Sequence, residues 1–189
     1  MSTPQPLTYD GIMEMIHGLT LKFEDTDRIV QKAAEAVERA SVIVGNLGNR
    51  IGEIVENMVK SNIADKFEKY EYFVSDEGCE RNKFKNKKLG IDGEIDLFLE
   101  NGDIAILIEV KAALELKDVR RHIKRMEEFR LYTDARGVDN RRFIGAVAGA
   151  VVDKDAQELA IANGFFVIVQ SGEFFEIVPP PAGFVAKKW

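Results

Sequence analysis

The stretch Gly93-Glu94-Ile95-Asp96-Leu97-Phe98-Leu99-Glu100-Asn101-Gly102-Asp103-Ile104-Ala105-Ile106-Leu107-Ile108-Glu109-Val110-Lys111 decides the fold. Ile91 to Leu99 alternates apolar and polar residues, the rhythm of a strand. Ile104 to Ala112 is rich in β-branched residues, as expected of a strand covered on both faces. Asn101-Gly102 between them is a strong signal for a two-residue type I′ hairpin turn. With those two residues as the loop, Glu100 pairs with Asp103, Leu99 with Ile104, Asp96 with Leu107, and Glu94 with Glu109.

Side chains alternate along a strand, so this register sorts the residues by face. Glu94, Asp96 and Phe98 share one face with Ala105, Leu107, Glu109 and Lys111. Ile95, Leu97 and Leu99 meet Ile104, Ile106, Ile108 and Val110 on the other, which makes a core. Asp96 and Glu109 become diagonal neighbours, roughly 7–8 Å apart at the backbone. Lys111 follows beside them.

Carboxylates on a covered sheet face are costly unless paired or metal-bound. Two of them hold Mg²⁺ through direct bonds and leave its other positions to water and substrate oxygens. Such a metal acidifies a bound water and polarises a phosphodiester. Lys111 can orient or help deprotonate that water and offset transition-state charge. These residue types suit metal-dependent phosphodiester hydrolysis, with Asp96, Glu109 and Lys111 as catalytic candidates. The plain alternative is a salt bridge of Lys111 with Glu109 or Asp96. Glu94, opposite Glu109, is either a third acidic ligand or a residue at the wet rim.

Upstream, Ile29, Ala33, Ala36, Ala40, Ile43 and Leu47 are spaced 4, 3, 4, 3, 4, a heptad rhythm. It reads either as a short coiled coil or as an amphipathic helix packed on its own domain. Gly45, Gly48 and Gly52 interrupt or weaken this helix. A second helix follows from Ile51 toward Phe67, then a strand over Tyr70 to Val74, then a polar, basic loop or irregular edge over 75–88. Downstream, the pattern predicts a helix over 113–133, a strand over 143–152, a helix over 154–163 stopped by Asn163-Gly164, and strands over 165–170 and 174–178. The fold class is α/β, a mixed central sheet flanked by helices, with an N-terminal helical extension. The boundaries read as 1–47 for the extension, 48–181 for the main domain and 182–189 for a tail.

The 189 residues carry a formal net charge of -6, which is wrong for a general nucleic-acid coater. Any nucleic-acid contact needs a local basic surface or a bound metal. Arg81, Lys83, Lys85, Lys87 and Lys88 precede the motif strand and are the better candidates for phosphate contact. Arg120, Arg121, Lys124 and Arg125 on the next helix, with Arg141 and Arg142, read equally well as a solvated face. Cys79 is the single cysteine, so an intrachain disulfide and cysteine-rich zinc sites are out. His17, His122 and Cys79 read as structural. Gln170 is a weak supporting candidate. Hard oxygen ligands leave Mg²⁺ or Mn²⁺ as the expected metal. No signal peptide or membrane span is expected, which implies a cytoplasmic, reducing setting.

Asp96 followed by Glu109-Val110-Lys111 resembles the two half-motifs of the PD-(D/E)XK nuclease superfamily, with Ile95 in place of the proline. The resemblance covers roughly residues 50–179. It implies a restriction-endonuclease-like fold, Mg²⁺ or Mn²⁺ as cofactor, and DNA endonuclease activity. It further implies a glutamate on the helix before the sheet. Gly52-Glu53-Ile54-Val55-Glu56 is similar to the Gly-x-x-x-Glu pattern of archaeal Holliday-junction-resolvase relatives. That points to Glu56 as a metal and catalytic residue ahead of Glu53, although a glutamate bordering an apolar helix face is often only solvated. The N-terminal helix resembles the coiled-coil leaders of some prokaryotic families of this kind and implies a homodimer. A silent nuclease fold that binds nucleic acid or protein is the alternative.

Overall fold

The computed structural model describes residues 8–75, 81–137 and 139–189. The chain divides after Asn49 into two compact units. The helix α1 (Tyr9–Lys60) supplies all the described structure of the first. It runs unbroken through Gly45, Gly48 and Gly52, where the sequence led us to expect an interruption. A helical glycine costs only about 1 kcal/mol relative to alanine. No proline, which would actually clash, occurs between Pro6 and Pro179.

In the second unit the last turns of α1 bury Val55 and Val59. Asn62 then takes a left-handed conformation (φ 74°) and the short α2 (Ile63–Glu68) begins. The strand expected over Tyr70 to Val74 does not form. Glu71 is left-handed (φ 65°), which breaks an extended run, and among the described residues the segment is followed by a single bridge from Ser75 to Glu100. Tyr70 and Tyr72 instead pack on the Phe166 ring, at 5.4 and 5.6 Å.

The polar segment read as a loop or an irregular edge contains a strand. β1 (Asn82–Asn86) pairs antiparallel with β2 (Ile91–Ile95) in a separate hairpin. Phe84 gives β1 its reason to fold down: it is buried against Phe129 at 5.1 Å, while Lys83 and Lys85 alternate outward. The main sheet is β3 (Leu97–Glu100), β4 (Ile104–Leu114), β5 (Arg142–Val152), β6 (Phe166–Ser171) and β7 (Phe174–Ile177), in that order. The inner pairs β4/β5 and β5/β6 are parallel, and the outer pairs are antiparallel. This is a mixed α/β sheet, as the sequence predicts.

Two apolar layers cover it. Leu97, Leu99, Ile106, Ile108 and Val110 face Val55, Val59, Ile63 and Phe67. Phe98, Ala105 and Leu107 face α3 (Leu116–Arg136) and α4 (Lys154–Ala162). Gly145 on β5 lets the Phe165 ring approach the sheet closely, since an added Cβ would stand 2.4 Å from that ring. The C-terminal residues expected to be a tail are tied down: Lys188 bridges to Ile144, and Trp189 and Phe143 exchange backbone hydrogen bonds of 3.1 and 3.2 Å. No helix among the described residues is long and apolar enough to cross a membrane.

The β3–β4 hairpin departs from the expected register. Leu97 pairs with Ile108, Phe98 with Leu107, Leu99 with Ile106 and Glu100 with Ala105. The reason lies in Asn101. Its side-chain oxygen accepts the N–H groups of Asp103 (2.9 Å) and Ile104 (2.8 Å), and its amide donates to the Phe73 carbonyl at 2.6 Å. Neither Asn101 nor Gly102 has the positive φ that a type I′ turn requires. The loop therefore grows to four residues and the register slips by two. A slip of two keeps every side chain on its face.

Candidate active site

Asp96 occupies the bend between β2 and β3. There the chain leaves one sheet for the other, so the Val110 N–H has no strand partner. The Asp96 carboxylate takes that role, accepting from Val110 at 2.8 Å. This bond fixes Asp96 over β4 in the place where the observed register, extended by one pair, sets it opposite Glu109. The bend also turns Ile95 into the layer with Phe84 and Phe98, not the expected one with Leu97. Glu94 is carried away from Glu109 as well and pairs with Lys83 across the β1–β2 hairpin.

Glu109 lies mid-way along β4 and is 1% exposed. Two cations meet its oxygens: Lys111 Nζ at 2.7 Å from Oε1, and the Arg125 guanidinium of α3 against Oε2. Lys111 also stands 3.5 Å from Asp96 Oδ2 and donates to the Val110 carbonyl at 3.0 Å. Asp96, Glu109 and Lys111 thus converge on one spot. Burial pushes the Glu109 carboxyl up from its ordinary value, the Asp96 charge pushes it further, and Lys111 and Arg125 only partly offset this. Burial pulls the Lys111 amine down, but Glu109 and Asp96 outweigh it and hold it above its ordinary value. Lys111 is accordingly held as a cation beside these two carboxylates, suited to holding anionic oxygens.

The sequence left Arg125 open between a phosphate contact and a solvated face, on a helix whose expected apolar stripe was Leu114, Val119, Ile123, Met126 and Phe129. The buried stripe is in fact Val119, His122, Met126, Phe129 and Thr133, and Arg125 borders it. That phase was the signal available in the sequence.

His122 is fully buried and its Nε2 donates to the Leu107 carbonyl at 3.1 Å. Its Nδ1 has no side-chain hydrogen-bond partner among the described residues and lies 4.0 Å from Glu109 Oε2. Burial pushes its pKa down to about 3, with Arg125 and Lys111 adding to the effect, so the ring is neutral and this contact is not an ion pair. The unfolded chain takes up a proton below about pH 6.5 that the folded chain refuses down to about pH 3. Stability from this group is full above pH 6.5 and falls with pH, by about 1.4 kcal/mol per unit, or roughly 2 kcal/mol by pH 5. Urea unfolding in EDTA should show this slope, and His122→Gln should flatten it. An equal slope in both proteins would exclude His122 as its source.

Glu56 is half-buried at the end of α1 and is held by Arg81, whose Nε and Nη2 reach it at 3.0 and 2.7 Å. Arg81 also lies 3.5 Å from Glu94. Glu56 is therefore linked to this region through Arg81 and is not gathered with Asp96 and Glu109. Among the described residues no three His, Cys, Asp or Glu side chains are grouped as a ligand set. Glu53 is exposed. The fit to a hard divalent cation rests on the Asp96/Glu109 pair, whose mutual repulsion a further positive charge would relieve.

Of the candidate phosphate contacts, Lys83 lies 3.7 Å from Glu94 and Lys85 lies 2.5 Å from Asp92. Lys87 and Lys88 are exposed in the β1–β2 turn. Arg121 pairs with Asp118, Lys124 with Glu128, and Arg141 with Asp139 and Glu100. Gln170 is exposed and bonds the Gly172 carbonyl of its own turn. His17 is exposed on α1, and Cys79 lies outside the described residues. A cleft of about 630 Å³ opens elsewhere, between Phe98, Tyr132 and Arg136, and none of Asp96, Glu109 and Lys111 lines it.

Comparison with family models, with curated proteins and with solved structures returned no match.

Proposed function

We propose that the chain is a metal-dependent phosphodiesterase of the PD-(D/E)XK type that cleaves nucleic acid, acting as a DNA endonuclease. The observation that carries this reading is the convergence of Asp96, Glu109 and Lys111 on adjacent strands. Asp96 and Glu109 would hold Mg²⁺ or Mn²⁺, which when bound supplies an acidified water and polarises the scissile phosphate. Lys111, held as a cation, neutralises charge on the phosphate oxygens as the leaving group departs. Arg125 keeps Glu109 aimed at the site. Glu56 joins the ligand set if Arg81 turns toward a phosphate. Lys83, Lys85, Lys87 and Lys88 would contact phosphates, the first two by leaving Glu94 and Asp92, so binding should weaken with salt. The protein acts in this reading as a homodimer joined through α1, in the reducing cytoplasm that a lone Cys79 suits.

One observation favours the silent-fold alternative. Lys111 and Arg125 already balance the charges of Asp96 and Glu109 without a metal. Supercoiled plasmid and branched DNA incubated with the full chain separate the two readings. Nicking or cleavage in Mg²⁺ or Mn²⁺ that stops in EDTA is expected. Binding that persists in EDTA, with no cleavage in either metal, selects the alternative.

A further inference from the structure

We propose that α1 forms a parallel, in-register, two-stranded coiled coil with α1 of a second copy of this chain; this deepens the homodimer reading and rests on it. The unbroken helix carries a repeat that the sequence phase starting at Ile29 does not show. Ile16, Phe23, Val30, Val37, Val44 and Ile51 follow one another every seven residues. Three residues after each stand Leu19, Thr26, Ala33, Ala40, Leu47 and Ile54. Extended both ways, the Ile29 phase runs into Lys22 and Arg50. The new one meets a single polar residue, Thr26, in all its twelve positions.

This seam is bare. Phe23 is 68% exposed, Val37 66% and Val44 69%, and the remaining large apolar residues of the seam are exposed as well. The ion pairs Asp25–Arg28 and Glu35–Arg39 lie on the opposite, outer face, at 3.6 and 3.5 Å. Covering the seam on two helices removes on the order of 1,500 Å² of apolar surface, inside the roughly 1,200–2,000 Å² of a stable interface.

Composition sets the number of strands. β-branched residues fill most of the first series and leucine or small residues most of the second, the pattern of parallel dimers. Charge sets the direction. In a parallel pair Lys22 flanks the seam next to Asp27 of the other copy, one heptad on. An antiparallel pair that keeps every layer filled sets Phe23 against Leu47 and Thr26 against Val44. It then brings Lys22 beside Arg50, two like charges.

The test uses full-length chains in a Cys79→Ser background. Thr26→Cys leaves the apolar layers intact. In a parallel pair the two introduced thiols are adjacent. In the antiparallel pair they are about 27 Å apart, from 18 residues at about 1.5 Å each. Twice the chain mass by light scattering, with Thr26→Cys alone cross-linked nearly completely by a short bismaleimide, is expected. Dimers that cross-link only when Thr26→Cys is mixed with Val44→Cys overturn the direction and leave the homodimer standing. A trimer or tetramer overturns the two-stranded seam. A single-chain mass at tens of micromolar overturns both. Val37→Lys should dissociate the dimer, whereas Glu35→Lys on the outer face should not. Dissociation by both, or by neither, places the contact elsewhere.

Discussion

Asp96→Asn and Lys111→Met should each lower metal-dependent cleavage by about 10²–10³-fold or more while leaving the fold in place. The two substitutions isolate charge from structure. An asparagine at position 96 still offers an oxygen to the Val110 N–H, which Asp96 accepts at 2.8 Å, so the bend between β2 and β3 keeps its anchor. It removes one of the two anions proposed to hold the metal. Methionine keeps the length of Lys111 and removes its cation. Glu109 retains Arg125 in that variant, so its buried charge is not stranded. Because Glu109 and Asp96 hold Lys111 above its ordinary pKa, its loss should lower the rate without removing an ionisation from the pH–rate profile near neutrality. Metal titration followed by calorimetry tells the two variants apart. Asp96→Asn should weaken Mn²⁺ binding, and Lys111→Met should keep or strengthen it by removing a competing cation. Wild-type cleavage rates in both variants, with thermal midpoints unchanged, would end the proposal that these residues carry the reaction.

Much of this arrangement is legible in the order of residues, because sheet faces depend only on parity. The expected two-residue turn at Asn101-Gly102 is wrong in length, yet Phe98, Ala105, Leu107 and Glu109 still share a face, since the register moved by two. What parity could not supply was the bend at Asp96. A continuous strand from Ile91 to Leu99 keeps Glu94 on the face of Glu109. The bend sends it to Lys83, and no local propensity marks a residue whose carboxylate will replace a strand partner. The glycines of α1 misled for a different reason. Propensity weighs them as weak breaks, whereas an apolar series every seven residues, from Ile16 to Ile51, continues straight across them. On α3 the apolar stripe read from the sequence includes Val119, Met126 and Phe129, which are buried, but passes over the polar residues that share their face. Asp118, His122, Arg125 and Phe129 lie on neighbouring helical positions, and a wheel centred on His122 turns Arg125 toward the sheet, where it reaches Glu109.

Arg125→Leu should destabilise the protein by about 1–3 kcal/mol at pH 8, because it removes one of the two cations on a buried carboxylate and leaves Lys111 alone to offset it. Glu109 is 1% exposed and the Arg125 side chain 17%, so solvent screens little of this contact. The sign with pH follows from Glu109. Burial and Asp96 already raise its pKa, so the folded state prefers the protonated acid. Such a group stabilises most below its unfolded pKa and loses that contribution as pH rises through the folded value. Taking away Arg125 raises the folded value further and widens the window upward. As pH falls and the acid takes up its proton in the variant, the cost shrinks toward that of a lost hydrogen bond, about 1 kcal/mol. The penalty therefore grows from pH 5 to pH 8, opposite in direction to the His122 slope, which strengthens the wild type over the same range. Urea unfolding in EDTA at both pH values measures it, and Glu109→Gln in the Arg125→Leu background should recover most of the loss at pH 8. A penalty that is equal at the two pH values and not recovered by Glu109→Gln would mean that Arg125 serves α3 by packing alone. With metal present the same variant should bind Mn²⁺ about 10–100-fold more weakly, as outer partners of ligands do, while a packing role would leave that affinity where it was.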